Sequence, residues 1–135
     1  MIIQILLVFT AAVCFSILFN APKSELIFAG LAAVAAWLTF LLLREFFNSP
    51  VVPSLFGSLV AAIISRIFAT KRKKPITIFL VGGIIPLVPG AGIYNTMYNL
   101  ITGERMQAAS YGIDTALVAG AIAIGIVVAL SLPLP

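Results

Sequence analysis

The sequence predicts an all-α integral membrane protein of about five transmembrane helices, the fourth of them broken by glycine and proline. Three observations carry this reading. Of the 135 residues 62% are hydrophobic and only 9% charged, with a mean hydropathy of +1.22, which is more apolar surface than a soluble core of this size can cover. The apolar residues fall into runs close to the roughly 20 residues that a helix needs to cross a hydrocarbon layer about 30 Å thick. The fourth run holds Gly82, Gly83, Pro86, Pro89, Gly90 and Gly92 inside what should otherwise be continuous helix.

The first run, 2–19, is closed by Asn20-Ala21-Pro22. No basic residue precedes it and no clear small-x-small cleavage site follows, so it reads as a retained helix and not as a signal peptide. The second, 26–43, is closed by Arg44-Glu45, and a connection with Asn48-Ser49-Pro50 and Pro53 leads to the third, 55–69. Arg66 lies near the end of that run, where its long stem can carry the charge to the headgroups. Lys71, Arg72, Lys73 and Lys74 follow directly. The fourth run spans 76–94, a polar stretch occupies 95–107, and the fifth run, 108–132, closes at Pro133-Leu134-Pro135. The expectation is one transmembrane domain over 1–135 with no soluble domain.

The charges orient these spans. Lys23 and the cluster at 71–74, joined by Arg66, fall on one side, against Arg44 and Arg105 on the other. Five spans then place the N-terminus outside and the C-terminus in the cytoplasm; a fourth run that enters and leaves on one face would move the C-terminal end to the other side. The +4 net charge comes largely from the 71–74 cluster between two apolar runs, which reads as a membrane-flanking anchor and not as a nucleic-acid site.

Several chemistries are excluded. The chain has no histidine and one cysteine, Cys14, so it has no disulfide, no zinc-ligand pair and no Ser-His-Asp set, and no carboxylate pair is placed for acid-base hydrolysis. The glycines of the fourth run are not followed by Gly-Lys-Ser/Thr and follow no strand, which rejects nucleotide binding. An enzyme is not expected, nor a cofactor or metal.

What remains is the break. Each proline removes a backbone donor and blocks the carbonyl one turn earlier, so the helix bonds near Gly82 and Ile85 should be weakened or lost. Such backbone at membrane depth is tolerated where protein or a water-filled cavity surrounds it, and in transporters these interruptions form the solute site, with half-helix ends presenting dipoles to an ion or anion. A kinked or re-entrant structural helix is the bland alternative. Tyr94, Asn95, Tyr98 and Asn99 make a polar stripe one turn apart, suited either to a small polar solute or to interfacial anchoring. Asp114 is the one carboxylate at the start of an apolar run: with Thr115-Ala116-Leu117 after it, it reads either as an interfacial N-cap or as a proton or cation carrier. Small residues recur every four positions in Gly112, Ala116, Gly120 and in Ala121, Gly125, Ala129, with a weaker version in Ala29, Ala32, Ala33 and Ala36, allowing close helix approach within the subunit or against a partner.

The stretch Phe79 to Met97, with its core Ile85-Pro86-Leu87-Val88-Pro89-Gly90 followed by Tyr94, resembles the signature of the threonine/serine exporter (ThrE) family, and the chain as a whole is similar to its small integral-membrane subunit of the YjjB type. The motif falls on Pro86, Pro89, Gly90 and Tyr94; Asp114 rests on the physical argument alone. The resemblance implies export of small polar metabolites, either threonine/serine-type amino acids or a dicarboxylate such as succinate, driven by the proton gradient. It also implies a partner, a larger homologous membrane subunit with a cytosolic domain (YjjP-like), since the present sequence resembles the half of the family that lacks that domain. The expected solute path runs past Gly82, Gly83, Pro86, Pro89, Gly90, Gly92, Tyr94, Asn95, Tyr98 and Asn99, with Asp114 for ion coupling. A non-transporting scaffold or regulatory subunit of a partner transporter, and a gated channel without energy coupling, are the competing expectations.

Overall fold

The computed structural model describes residues 2–133; Leu134 and Pro135, with which the sequence closes its last run, lie outside the described residues. Among those described there is no strand, and six α-helices follow one another: α1 Ile2–Leu18, α2 Leu26–Arg44, α3 Val51–Arg72, α4 Thr77–Ile84, α5 Gly90–Thr102 and α6 Arg105–Ser131. Short 3-10 turns at Lys23–Glu25 and Ile85–Leu87 lead into α2 and out of α4. Three stretches, Lys23–Arg44, Val51–Arg72 and Arg105–Ser131, are long and apolar enough to cross a membrane, and the bent pair Thr77–Leu87 and Gly90–Thr102 makes a fourth if counted as one span. The helix α1 is apolar but only 17 residues long. By length and composition the count is therefore three to four, where the sequence suggested about five.

Local chemistry sets the helix ends. Asn20 adopts a left-handed φ of 62°, and the Ala21 amide donates to the Ser16 carbonyl at 3.0 Å, which stops α1. Lys73, at φ 55°, does the same for α3. The start of α3 at Val51, earlier than the run from 55 implied, follows from Pro50 and Pro53: in a first turn the missing proline N–H has no intrahelical acceptor to lose, so these prolines begin the helix instead of preceding it.

The helices pack through small residues. Ala29, Ala32, Ala33 and Ala36 on α2 and Ala61 and Ala62 on α3 are fully buried. A Cβ added to Gly30 would overlap the Phe9 ring of α1, and one added to Gly125 of α6 would overlap Ser58 of α3. Of the two stripes in α6, Ala121, Gly125 and Ala129 are buried, whereas Gly120 has nothing within 4 Å of an added Cβ and Gly112 faces Thr96 of α5. The first stripe therefore builds the bundle and the second follows α5 or stays open.

Arg66 is the chief correction here. Its guanidinium does not simply reach toward headgroups; it donates to the carbonyl of Ala129 at 2.8 Å, which also accepts from the Leu132 amide, and to that of Leu132 at 2.5 Å, and so fastens the end of α6 to α3. Together with the Gly125 and Ser58 contact this makes α3 and α6 run parallel and end at the same face as Lys71, Arg72, Lys73 and Lys74. The helix α4 leaves from that face, so α4 and α5 together traverse the bundle before α6 returns. At this basic end Glu25, only 1% exposed, accepts from the Arg72 Nε at 2.5 Å, and the Arg72 guanidinium lies 4.4 Å over the Phe28 ring. Phe28, Phe68 and Phe79 continue inward as two edge-to-face pairs.

Candidate solute cavity at the helix break

The break forms where the prolines remove donors. The Val88 amide bonds the Ile85 carbonyl at 3.3 Å in a 3-10 turn, the Gly90 amide turns back to the Val88 carbonyl at 2.8 Å, and α5 departs at 54° to its predecessor. The 3-10 turn ends about 16 Å along the axis from Thr77, roughly half the thickness of a hydrocarbon layer.

The sequence treats 95–107 as a polar connection; in the structure α5 continues through it to Thr102 and only Gly103 and Glu104 link it to α6. Three of its polar side chains bond carbonyls of their own helix. Thr96 Oγ1 donates to the Gly92 carbonyl at 2.7 Å, Asn99 Nδ2 to the Asn95 carbonyl at 2.7 Å, and Thr102 Oγ1 to the Tyr98 carbonyl at 3.0 Å. Gly103, at φ 89°, then reverses the chain.

A cavity of about 290 Å³ opens at the break, lined by Trp37 and Phe40 from α2, Pro50 and Ser54 from the start of α3, the segment 86–92, and Asp114, Thr115 and Val118 from α6. This is the size of a small-solute site. Leu87 and Val118 join it to the buried core cluster they form with Ala36, Ala61 and Ile122. The cavity lies in the half of the bundle away from the basic face, with Trp37 about 10 Å along α2 from Arg44.

Of the residues singled out from sequence, Pro86, Pro89, Gly90, Gly92 and Asp114 meet at this cavity. Gly82 and Gly83 do not line it. They press α4 against α1 and α2, since a Cβ on Gly82 would stand 2.5 Å from Ser16 Oγ and one on Gly83 3.3 Å from Ala32 Cβ. Tyr94 and Tyr98, 66% and 54% exposed, stack on the outer face of α5 with ring centroids 6.1 Å apart, and Asn99 is turned back onto its own helix. Asp114 is not an N-cap. That position belongs to Glu104, and Asp114 stands beyond the second turn of α6.

Sequence reasoning missed Trp37, Phe40, Pro50 and Ser54, which come from two other helices. One signal was available, as Trp37 is the only tryptophan. It stacks on Phe40 at 5.1 Å and 15°, and its indole Nε1 is buried without an acceptor. Three features thus converge on the cavity. The start of α5 has no side-chain cap, which leaves the Ala91 and Gly92 amides without intrahelical acceptors. Trp37 and Phe40 supply an aromatic wall, and Asp114 supplies a carboxylate. Among the described residues no group of three His, Cys, Asp or Glu is placed to hold a metal.

A helical membrane protein with a broken span around a cavity of small-solute size has the architecture that membrane transporters use. The comparison with known families specifies this: the chain matches the family described as Threonine/Serine exporter, ThrE, over residues 4–132, and it belongs to that family. Its role is therefore membrane transport of the threonine/serine-exporter type. Searches of curated proteins and of solved structures give no match.

Proposed function

We propose that the chain is the small, YjjB-type membrane subunit of a two-component exporter, working in a bacterial inner membrane with a larger homologous subunit that carries a cytosolic domain (YjjP-like). The observation that carries the mechanism is the placement of Asp114 at the same cavity as the uncapped start of α5. A helix N-terminus attracts an anion through its free amides and dipole. A carboxylate attracts a cation, and an aromatic face reinforces that attraction. An amino acid offers one of each: its carboxylate suits the Ala91 and Gly92 amides, and its ammonium suits Asp114 beside Trp37 and Phe40. A dicarboxylate such as succinate would bring a second anion toward Asp114, so the cavity favours the threonine/serine end of the family's range.

The same carboxylate supplies coupling. An ionised aspartate at membrane depth costs about 2.5–3.5 kcal/mol unless it is paired, hydrated or protonated. Asp114, at the cavity, is one carboxylate for which a proton and the solute's ammonium would compete, so the two exclude one another at one oxygen pair. A proton entering from the outer side displaces the solute outward, which is the stoichiometric requirement for export driven by the proton gradient. Alternating access follows from movement of the α4–α5 elbow.

The scaffold reading finds support in the polar residues of α5, which bond their own backbone. Efflux of labelled threonine, serine and succinate from cells producing this chain, the larger subunit, or both decides between them. Threonine and serine efflux with both chains only is the expected result. Efflux from the larger subunit alone reduces this chain to an accessory.

A further inference from the structure

We infer that the basic end of the bundle carries a second solute subsite, a cytoplasmic mouth that receives the carboxylate end of the solute before it reaches the cavity at the break. The inference rests on the exporter reading and deepens it. A pocket of about 460 Å³ lies there between the end of α1 and the start of α4, and its polar lining is Ser16, Asn20 and Thr77. Ser16 is 2% exposed and its Oγ has no hydrogen-bond partner. A buried hydroxyl without a partner is uncommon and costs free energy, so it marks a place where a further polar group is accommodated.

The charge around this pocket is one-sided. Lys23 lines an adjoining cavity that shares Asn20 and Ala21 with it, and Lys74 immediately precedes the Pro75-Ile76 that leads to Thr77. The carboxylate at this end, Glu25, is held by Arg72 and Ser24 and is not among the lining residues. The neighbouring ammonium groups attract an oxyanion and repel an ammonium, and the hydroxyls and the amide can donate to that oxyanion. The cavity at the break differs in holding Asp114. A zwitterion is thus met first by its carboxylate and held later at both ends.

The two sites flank one helix. Thr77 and Val81 border the basic pocket, and Pro86 beyond the other end of α4 borders the cavity at the break. Between them Phe79 is fully buried and Gly82 and Gly83 press on α1 and α2, so the bundle is closed at that level. Passage requires α4 to separate from α1, and Ser16, whose Oγ stands where a Cβ of Gly82 would fall, lies on that seam.

The test uses the exporter with its larger subunit in inside-out vesicles, where labelled threonine is added at the cytoplasmic face. The double variant Ser16→Ala/Thr77→Val should raise KM about tenfold and leave kcat within twofold, as expected for lost hydrogen bonds to a charged group. An unchanged KM overturns the subsite. Asp114→Asn separates the two ideas: it should abolish gradient-driven accumulation, and a wild-type exporter that accumulates no amino acid would overturn the exporter reading and this inference with it. A lipid phosphate shares the chemistry of a carboxylate. The measurement is therefore repeated in proteoliposomes with and without anionic phospholipid: a KM difference present in both supports a solute site, and one that vanishes without anionic lipid overturns it. A variant that must only fold gives an independent readout. In a Cys14→Ala background, Thr77→Cys should react with a membrane-impermeant maleimide from the cytoplasmic face, more slowly when threonine is present; reaction from the outer face alone, or no protection, overturns the proposal.

Discussion

Gly82 and Gly90 belong to one glycine- and proline-rich run, yet their surroundings are opposite. A Cβ at Gly82 would stand 2.5 Å from Ser16 Oγ and 3.2 Å from Ala29 Cβ, whereas a Cβ at Gly90 has nothing within 4 Å. The first glycine lets two helices touch; the second keeps a cavity open at a helix start. The run therefore joins a packing half to a binding half, and the boundary is the pair of prolines.

The sharpest way to break this comparison is to place the same side chain at both positions. Gly82→Leu adds a branched side chain where no space exists, and overpacking of about 1–3 kcal/mol or more should remove most of the folded protein. The readout is the monodisperse fraction after extraction in mild detergent. Gly90→Leu should leave that fraction near wild type and lower threonine efflux at least tenfold by filling the cavity. Equal loss of folded protein in both would abolish the distinction between the halves.

Asp114→Asn sharpens the binding half. Asparagine keeps the shape and loses the ability to exchange a proton for an ammonium, so efflux should stop responding to the proton gradient while insertion is unchanged. Efflux against a gradient that persists in this variant would move coupling elsewhere. Flux that was never gradient-dependent in the wild type would turn the protein into a channel.

The sequence made part of this legible, and for a physical reason. Apolar run length reports the bilayer directly, so the all-helical membrane class could be read, though not the number of spans, and proline chemistry is local, so the break could be placed at Pro86 and Pro89. Where α5 ends could not be read as easily. Asn95, Thr96, Asn99 and Thr102 resemble a loop in composition, and only the bonds of Thr96, Asn99 and Thr102 to carbonyls of their own helix show why the helix tolerates them. The N-cap reading of Asp114 failed for a related reason: Gly103 already reverses the chain, so α6 starts at Arg105 and the Asp-Thr pair falls within it. Trp37, Pro50 and Ser54 join the site through the packing of α2 and α3 against the break, which no local pattern encodes. Glu25 likewise depends on Arg72, a partner distant in sequence.

Arg66 tests the packing half at a smaller scale. Arg66→Met keeps much of the stem and removes the donors to the carbonyls of Ala129 and Leu132, of which Ala129 keeps only the Leu132 amide. A loss of about 1–3 kcal/mol is expected, read as a lower thermal midpoint of the detergent-solubilised protein. Efflux at low temperature should persist, because the cavity lies toward the other end of α3. An equal thermal midpoint would mean that α6 is held at the basic face by its small-residue stripe alone.

The smallest expected effect belongs to Trp37→Phe. The substitution preserves an aromatic face beside Phe40 and deletes the one buried indole N–H that has no acceptor. If that donor serves packing, removing it relieves an unsatisfied polar group and the protein should be slightly more stable with unchanged transport. If it serves the solute, KM should rise by about fivefold, the value of one neutral hydrogen bond of roughly 1 kcal/mol, with kcat nearly unchanged. The second outcome is expected, since Trp37 shares the cavity with Asp114 and the uncapped start of α5. A parallel Phe40→Leu variant separates donor from ring: it keeps the indole N–H and removes the stacked partner, so a KM rise there alone would assign the solute's ammonium to the aromatic face and leave the indole N–H to packing.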